Sequence, residues 1–351
     1  MAEKSTNNNN GLPKKKRSKT ASIAKAEDRL SKLPDITLVH ILSFLPTTND
    51  VVRTCILSKR WKLIWYSVPK LCFCDTTTTV PEFQKLENYV DNCLEHRKKV
   101  DNKVKEYLSV DLEPGKCEND GYYYYYCLPK TVLNLRGLTI LELRGIELGY
   151  SYGFPSLKSL SLENFRLSNN VTTDVLTKSF TDCPSLEKLS LSSYYIHKPL
   201  RVQSSSLKFV TLELQNVSLQ VEAINLESLV LCRAFFGKIN LSACKAIKNL
   251  SLSSCTWGMT DQSSFEELIT SLPLLEDLTI DNSYHKSGLE HLTISNQHLK
   301  SLKLRNMNEE SDMIKVVTIK SVPNLVSFCY KGNINCNISI ESTNLLNGEF
   351  E

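Results

Sequence analysis

The sequence predicts two modules: a bundle of three short helices near the N-terminus, followed by an irregular α/β solenoid with a parallel sheet along one face. Two observations predict this arrangement. Apolar residues recur at helical spacing between residues 29 and 75, and beyond residue 130 a short leucine phrase returns at intervals typical of stacked repeats. The 351 residues, 41% hydrophobic and 23% charged, can bury a sizeable core. The fold class is therefore α+β overall, with an α/β solenoid as its larger part.

Residues 1–26 are predicted to be a disordered basic tail. They carry seven Lys or Arg against one Glu, whereas the remainder of the chain carries 35 against 37. Four consecutive Asn and few large apolar residues cannot offset the entropy of ordering. A compact cluster typical of a nuclear import signal lies in the tail: Lys14, Lys15, Lys16, Arg17 and Lys19. We expect a nuclear protein, with some in the cytoplasm; a solvated charge run or weak nucleic-acid contact is the alternative.

The first two helices of the N-terminal module are predicted from prolines and capping residues. One helix begins after Pro34 and is stopped by Pro46. A second begins at about Asn49 and Asp50. The apolar residues of the first helix are expected mainly on one side: Ile36, Val39, Ile41, Leu42 and Leu45.

The third helix is capped by Ser58 and carries Trp61 and Trp65, which share a face because they are four residues apart. Three short helices cannot bury so many aliphatic and aromatic groups among themselves. An exposed apolar patch is therefore expected, and such a patch is typical of a docking surface.

The motifs of this segment resemble the F-box of the plant F-box/leucine-rich-repeat family. In order, they are Leu33-Pro34-Asp35, Ile41-Leu42-Ser43-Phe44-Leu45-Pro46, Leu57-Ser58-Lys59-Arg60-Trp61-Lys62-Leu63-Ile64-Trp65 and Val68-Pro69. The resemblance covers about 45 residues. It implies binding to the SKP-type adaptor of a cullin-RING ubiquitin ligase. The residues that it implies as contacts or supports, about half of which should be internal core, are Leu33, Pro34, Ile41, Leu42, Leu45 and Trp61.

The solenoid is predicted from the phrase L-x-x-L-x-L. Full copies begin at Leu138, Leu157, Leu186, Leu226 and Leu299. Variants begin at Leu207, Ile247, Leu275, Leu289, Ile314 and Leu325, and residues 104–112 are a degenerate first copy. From Leu138 to Leu275 the starts are 19, 29, 21, 19, 21 and 28 residues apart, as in leucine-rich repeats. The last two leucines of each phrase should point inward from a strand, and stacked copies should form a parallel sheet on the concave face.

Helices are predicted at three further places. One, between Pro81 and Lys98, joins the two modules and caps the first repeat, and two lie inside the longest repeats, at residues 173–180 and 265–271. The expected division is a tail (1–26), an F-box (27–75), a linker helix (76–103), leucine-rich repeats (104–335) and a C-terminal cap or frayed tail (336–351). After Leu289 the spacing falls to 10 and then 15 residues, so the register there is open.

Two motifs could in principle carry chemistry. The segment 149–153, Gly-Tyr-Ser-Tyr-Gly, matches the nucleophile elbow of hydrolases, but an elbow needs a helix after Ser151 and the next phrase begins at Leu157. The residues Cys72, Cys74, Cys93 and His96 could supply four zinc ligands, although their spacing is imperfect and a strand and a helix face explain them better. We expect no catalytic residue, metal or cofactor.

Five consecutive tyrosines are a candidate surface for target binding: Tyr122, Tyr123, Tyr124, Tyr125 and Tyr126. Clustered tyrosines suit protein recognition because they are rigid and amphipathic, but alternate members could be core.

The function implied by the resemblance is that of a non-catalytic substrate receptor. The expected partners are the SKP-type adaptor, through it the cullin and RING subunits, and a protein target of unknown identity. Membrane and nucleic-acid partners are not expected. The alternatives are a nuclear scaffold or nucleic-acid-associated protein, and a hydrolase that would rest on Ser151 alone. A small ligand, as in a related family of hormone receptors, has no support in the sequence.

Overall fold

The computed structural model describes residues 29–75, 79–100, 107–116, 123–130, 132, 135, 137–215, 217–255, 261–281, 290–307, 314–332 and 335–351. Within these residues the helices are α1 (Asp35–Ser43), α2 (Thr48–Arg53), α3 (Lys59–Ile64), α4 (Val80–Val100), α5 (Asp174–Thr181) and α6 (Asp261–Thr270). The first three form the N-terminal module, and the others belong to the solenoid.

Twelve strands form one parallel sheet. Counting all strands in chain order, they are β1 (Lys70–Asp75), β2 (Tyr107–Leu112), β6 (Ile140–Arg144), β8 (Ser159–Glu163), β10 (Lys188–Ser193), β12 (Phe209–Leu214), β14 (Ser228–Cys232), β16 (Asn249–Ser253), β17 (Asp277–Asp281), β19 (Ser301–Asn306), β21 (Ser327–Gly332) and β23 (Asn347–Phe350). Each strand pairs with the next one in this order, so the sheet is a stack of repeats.

Two rows of apolar side chains hold this stack together. Because side chains alternate along a strand, the two inward positions of each strand meet those of its neighbours. One row runs Leu71, Leu108, Leu141, Leu160, Leu189, Val210, Leu229, Leu250, Leu278, Leu302 and Phe328, and every member is at least 96% buried. The predicted inward leucines are confirmed as core. Truncating one of them to Ala should cost about 2–5 kcal/mol.

Short strands and the helices α5 and α6 form the other side of the repeats. The strands are β3 (Gly115–Lys116), β4 (Tyr123–Tyr124), β5 (Tyr126–Cys127), β7 (Ile146–Leu148), β9 (Arg166–Leu167), β11 (Leu200–Gln203), β13 (Leu219–Glu222), β15 (Ile239–Asn240), β18 (His291–Ile294), β20 (Val316–Ile319) and β22 (Asn337–Ile340). Helix α5 packs against β11 and α6 against β18.

The register that the sequence left open after Leu289 is fixed by this second layer. The phrases predicted at Leu289 and Ile314 are not copies of the main repeat, because β18 pairs with β20, and β20 with β22, in a separate sheet. The main sheet continues instead from Leu275 to Leu299 and Leu325, at spacings of 24 and 26 residues. That part of the prediction was wrong, since the leucine phrase indicates a strand but not its sheet.

The sheet begins inside the segment predicted as the F-box. All six residues of β1 pair with β2, and α4 lies between the two strands in the chain. Phe83, Val90 and Leu94 of α4 are buried in the solenoid core, so this helix packs against the first repeat. At the other end, residues 336–351 supply β22 and β23, the last strands of two sheets.

Left-handed turns direct the chain away from the sheet at its carboxyl edge. Gly145, Asn164, Arg233 and Ser254 directly follow β6, β8, β14 and β16, and their φ angles are 69°, 47°, 58° and 51°. Each amide donates to a carbonyl of the next repeat, as from Gly145 to Glu163 at 3.0 Å. Side chains beyond these turns therefore gather along one edge of the sheet.

Candidate functional site

The N-terminal module has a core of its own. Ser58 caps α3 as predicted, because its hydroxyl accepts from the Trp61 amide at 3.5 Å. Helix α2 begins slightly earlier than predicted, since Thr47 and not Asn49 provides its cap. The buried side chains, separate from the solenoid core, are Leu38, Leu42, Val51, Trp61, Ile64, Trp65 and Val68. Trp61 and Trp65 share this core, as their spacing predicted.

Large apolar side chains remain in solvent around that core. The exposed fractions are 80% for Ile36, 74% for Phe44, 90% for Ile56, 62% for Leu57 and 66% for Leu63. We call these five residues, together with Ile41 at 39%, the exposed apolar set. Ile36 lies in the first turn of α1, and Phe44 directly follows the last residue of that helix. So much exposed apolar surface on so small a unit indicates a docking surface.

Arg60 fixes the turn that leads into α1. Its Nε donates to Asp35 Oδ1 at 2.8 Å, and its Nη2 donates to the Leu33 carbonyl at 2.5 Å. Its Nη1 donates to the Ser31 carbonyl. One guanidinium of α3 therefore holds both ends of the Leu33-Pro34 turn. Sequence reasoning missed this role, because nothing local links Arg60 to residues that precede it by more than twenty positions.

The six residues implied by the F-box resemblance divide by burial. Leu42 and Trp61 are core, at 2% and 5% exposed. Leu33 and Leu45 are partly buried against that core, whereas Pro34 and Ile41 are exposed. Five exposed apolar residues of this module were not among the six: Ile36, Phe44, Ile56, Leu57 and Leu63. The expectation that Ile36 shares one side of α1 with Leu42 was wrong, because residues six positions apart on a helix face different directions: Ile36 is exposed and Leu42 is buried.

A polar contact joins the module to the edge of the large sheet. The Thr48 hydroxyl, in a side chain only 2% exposed, accepts from the Cys72 amide at 2.8 Å. Among the residues that the structure describes, no strand pairs with β1 on that side, so α2 caps the first repeat. This hydrogen bond links the helical module to the first strand of the solenoid.

The four cysteine and histidine residues weighed as zinc ligands do not form a metal site. Cys72 and Cys74 lie on β1, whereas Cys93 is buried on α4 and His96 is exposed near its end. Burial raises the pKa of the Cys72 thiol, which keeps it protonated. Across the part of the chain that the structure describes, no three His, Cys, Asp or Glu side chains are grouped to hold a metal ion.

Ser151 lacks the surroundings of a hydrolase nucleophile. No helix follows it within residues 149–158, and the next element is strand β8. The flanking Tyr152 is buried, and its amide donates to the Ser179 hydroxyl at 2.9 Å. The segment is therefore an inter-repeat connection.

The tyrosine run divides between surface and core. Tyr126 is 1% exposed, and its hydroxyl donates to Asp91 Oδ1 at 2.6 Å; burial raises its pKa. Tyr125 is also buried, whereas Tyr123 and Tyr124 are about half exposed. Tyr122 lies outside the described residues, as does the whole basic cluster predicted for nuclear import. No helix in the described portion of the chain is long and apolar enough to cross a membrane.

Comparisons with known proteins agree with both modules. The profile of the F-box domain matches residues 30–73, and the profile of the leucine-rich repeats of the FBD-associated F-box protein At5g56370 matches residues 116–248. Over 327 residues the chain is 26% identical to F-box/LRR-repeat protein At4g15060 of Arabidopsis thaliana, covering 85% of the chain and 72% of that protein. With F-box/LRR-repeat protein 25 of the same plant it shares 28% over 294 residues, covering 81% and 88%.

A third relative is more similar over a shorter stretch. The FBD-associated F-box protein At5g50270 of Arabidopsis thaliana is 46% identical over 191 residues, which are 46% of this chain and 45% of that protein. The chain spans less than half the length of several FBD-associated relatives that it matches. In its three-helix module and its twelve-stranded repeat sheet, the chain is thus similar to plant F-box/leucine-rich-repeat proteins.

Proposed function

We propose that this protein is a substrate-recognition subunit of an SCF-type cullin-RING ubiquitin ligase. Its F-box binds the SKP-type adaptor, and its repeats bind a protein target that is then ubiquitinated. One observation carries the proposal: the F-box completes a core of its own and still leaves the exposed apolar set in solvent. Burying that set against another subunit would remove the apolar area from water.

Charge on the F-box favours an acidic partner. Residues 29–75 contain seven Lys or Arg against three Asp. Lys59 and Lys62 are exposed on α3 beside Leu63. A partner whose apolar groove has an acidic rim would complement this surface, and the attraction would speed association at low salt.

The proposed mechanism is proximity. The receptor needs no reactive residue, because other subunits of the ligase supply ubiquitin transfer. Holding the target beside the transfer machinery replaces a bimolecular encounter with an intramolecular one. The contact between Thr48 and β1 supports this mechanism, since a fixed relation between F-box and solenoid would present the target in one orientation.

Affinity purification with proteasomal degradation blocked tests the proposal. The intact chain is compared with an Ile36→Asp/Phe44→Asp variant and with Leu33→Ala/Pro34→Ala. We expect both variants to lose adaptor and cullin while proteins bound to the solenoid persist. A matched control, Phe209→Asp, changes an aromatic residue that is 47% exposed on the sheet and should retain the adaptor. Absence of adaptor with the intact chain would contradict the proposal.

We also propose that the tail directs the protein to the nucleus. The support is the basic cluster Lys14 to Lys19 in a segment of low hydrophobicity. Replacing its five basic residues by Ser should shift a fluorescent fusion from nucleus to cytoplasm. An unchanged distribution would refute this role.

A further inference from the structure

The carboxyl edge of the large sheet carries four half-exposed tyrosines. Tyr123, Tyr124, Tyr194 and Tyr195 are 46%, 49%, 53% and 47% exposed. The two pairs are distant in sequence, but Tyr125, which follows Tyr124, has its ring centre 5.9 Å from that of Tyr195, at an angle of 80°. This ring contact brings the two segments together. We call these five residues, with Arg166 and Arg233, the aromatic edge.

Two arginines each pack on one ring of this edge. The Arg166 guanidinium lies 4.4 Å from the centre of the Tyr125 ring, and that of Arg233 lies 4.5 Å from the Tyr194 ring. Arg233 adopts a left-handed backbone conformation after β14, where its amide donates to the Ser253 carbonyl at 2.9 Å. Rings that are already ordered lose little side-chain entropy when a ligand covers them.

The charges of the aromatic edge are matched internally. Arg166 donates to Glu147 Oε2 at 2.7 Å, and Arg233 forms an ion pair with Glu213. A charged ligand would have to compete with these pairs. The edge therefore complements a ligand that carries no charge where it contacts the rings.

We propose that the aromatic edge binds an uncharged, extended, proline-rich segment of a protein target, an inference that rests on the proposed role of the solenoid. A proline-rich chain forms the polyproline helix, which has no internal hydrogen bonds and little conformational entropy to lose. Its rings pack on aromatic faces, and its free carbonyls accept from tyrosine hydroxyls. Half-exposed rings with a polar tip, as at Tyr194 and Tyr124, provide both contacts.

Binding of a fluorescein-labelled proline decamer to the full chain tests this proposal. Fluorescence anisotropy is compared for the parent, for Tyr194→Ala/Tyr195→Ala, and for the control Phe209→Ala on β12. We expect saturable binding to the parent at up to about millimolar protein, weakened by about tenfold in the double variant and unchanged in the control. Decamers in which every second proline is Glu or Lys should bind more weakly than the proline decamer.

Three results would overturn the assignment: no saturable binding of the proline decamer, equal loss in the Phe209→Ala control, or a preference for either charged decamer. Co-purification of the adaptor with the double variant is measured in parallel. If the adaptor is retained but the decamer does not bind, the proposed role of the aromatic edge is refuted and the proposed function is not affected. If the intact chain binds the decamer normally but does not retain the adaptor, the proposed function is refuted and the aromatic edge stands.

Discussion

Replacing Ile36 and Phe44 by Ala should separate adaptor binding from folding. Both side chains are about three-quarters exposed, so their removal takes almost no packing from the free chain. Fully burying such a side chain contributes about 1.5–3 kcal/mol. Each therefore has about 1–2 kcal/mol still to gain on docking, or about 3 kcal/mol for the pair. That difference corresponds to a weakening of Kd by about 100-fold.

Titration calorimetry with a purified SKP-type adaptor and urea unfolding of the same samples measure the two effects. Leu42→Ala is the opposite control, because Leu42 is 2% exposed and its truncation should cost about 2–5 kcal/mol of unfolding free energy. The double variant should unfold at the urea concentration of the parent.

Two outcomes would refute this reasoning. One is a double variant that binds the adaptor within about twofold of the parent, since tenfold already corresponds to only 1.4 kcal/mol. The other is a double variant as unstable as Leu42→Ala, which would mean that Ile36 and Phe44 support the fold.

Three further predictions concern the solenoid and its junction with the F-box. Thr48→Val leaves the Cys72 amide without its acceptor and should lower the unfolding free energy by about 1–3 kcal/mol in urea. Thr48→Ser keeps the hydroxyl and loses only a buried methyl group, so it should cost less, and equal losses in the two variants would count against the capping contact. Gly145→Ala places a Cβ 1.8 Å from a main-chain oxygen at a φ of 69°, so unfolding followed by circular dichroism should show a loss of stability of more than about 4 kcal/mol. The control Gly149→Ala, whose Cβ would have no neighbour nearer than 3.5 Å, should fold normally. Burial raises the pKa of Cys255 from 9.0 to about 12, so above pH 9 the unfolded chain loses a proton that the folded chain keeps, and stability falls. In an alkylation experiment at pH 8, mass spectrometry should find Cys255 unmodified until urea is added, and rapid labelling of the native protein would contradict its burial.

Much of the solenoid could be predicted because its signals are local. The leucine phrase reports a strand wherever it occurs, and the longest repeats have room for helices, which the structure places at α5 and α6. The phrase does not report which sheet a strand joins. For that reason the copies at Leu289 and Ile314 were assigned to the main sheet, whereas their strands β18 and β20 pair with each other in a separate sheet.

That the F-box exposes apolar side chains was easier to predict than which residues they are. Apolar residues occupy most sides of α1, so the sequence pattern cannot separate Leu38, which is fully buried, from Ile36, which is 80% exposed. The positions of α3 and of the helical turn at residues 65–67, which follows it, decide which side is covered. Contacts that join distant residues were also hidden, such as the ring contact between Tyr125 and Tyr195 and the hydrogen bonds of Arg60.

Hydrogen exchange of the intact chain with and without a purified SKP-type adaptor tests the central claim most directly. Binding should slow exchange of amides in α1 and in residues 56–63, where the exposed apolar set lies, and should leave the strands from β6 to β21 unchanged. Protection confined to the solenoid strands, or no protection at saturating adaptor, would contradict the claim that this face of the F-box is the docking surface.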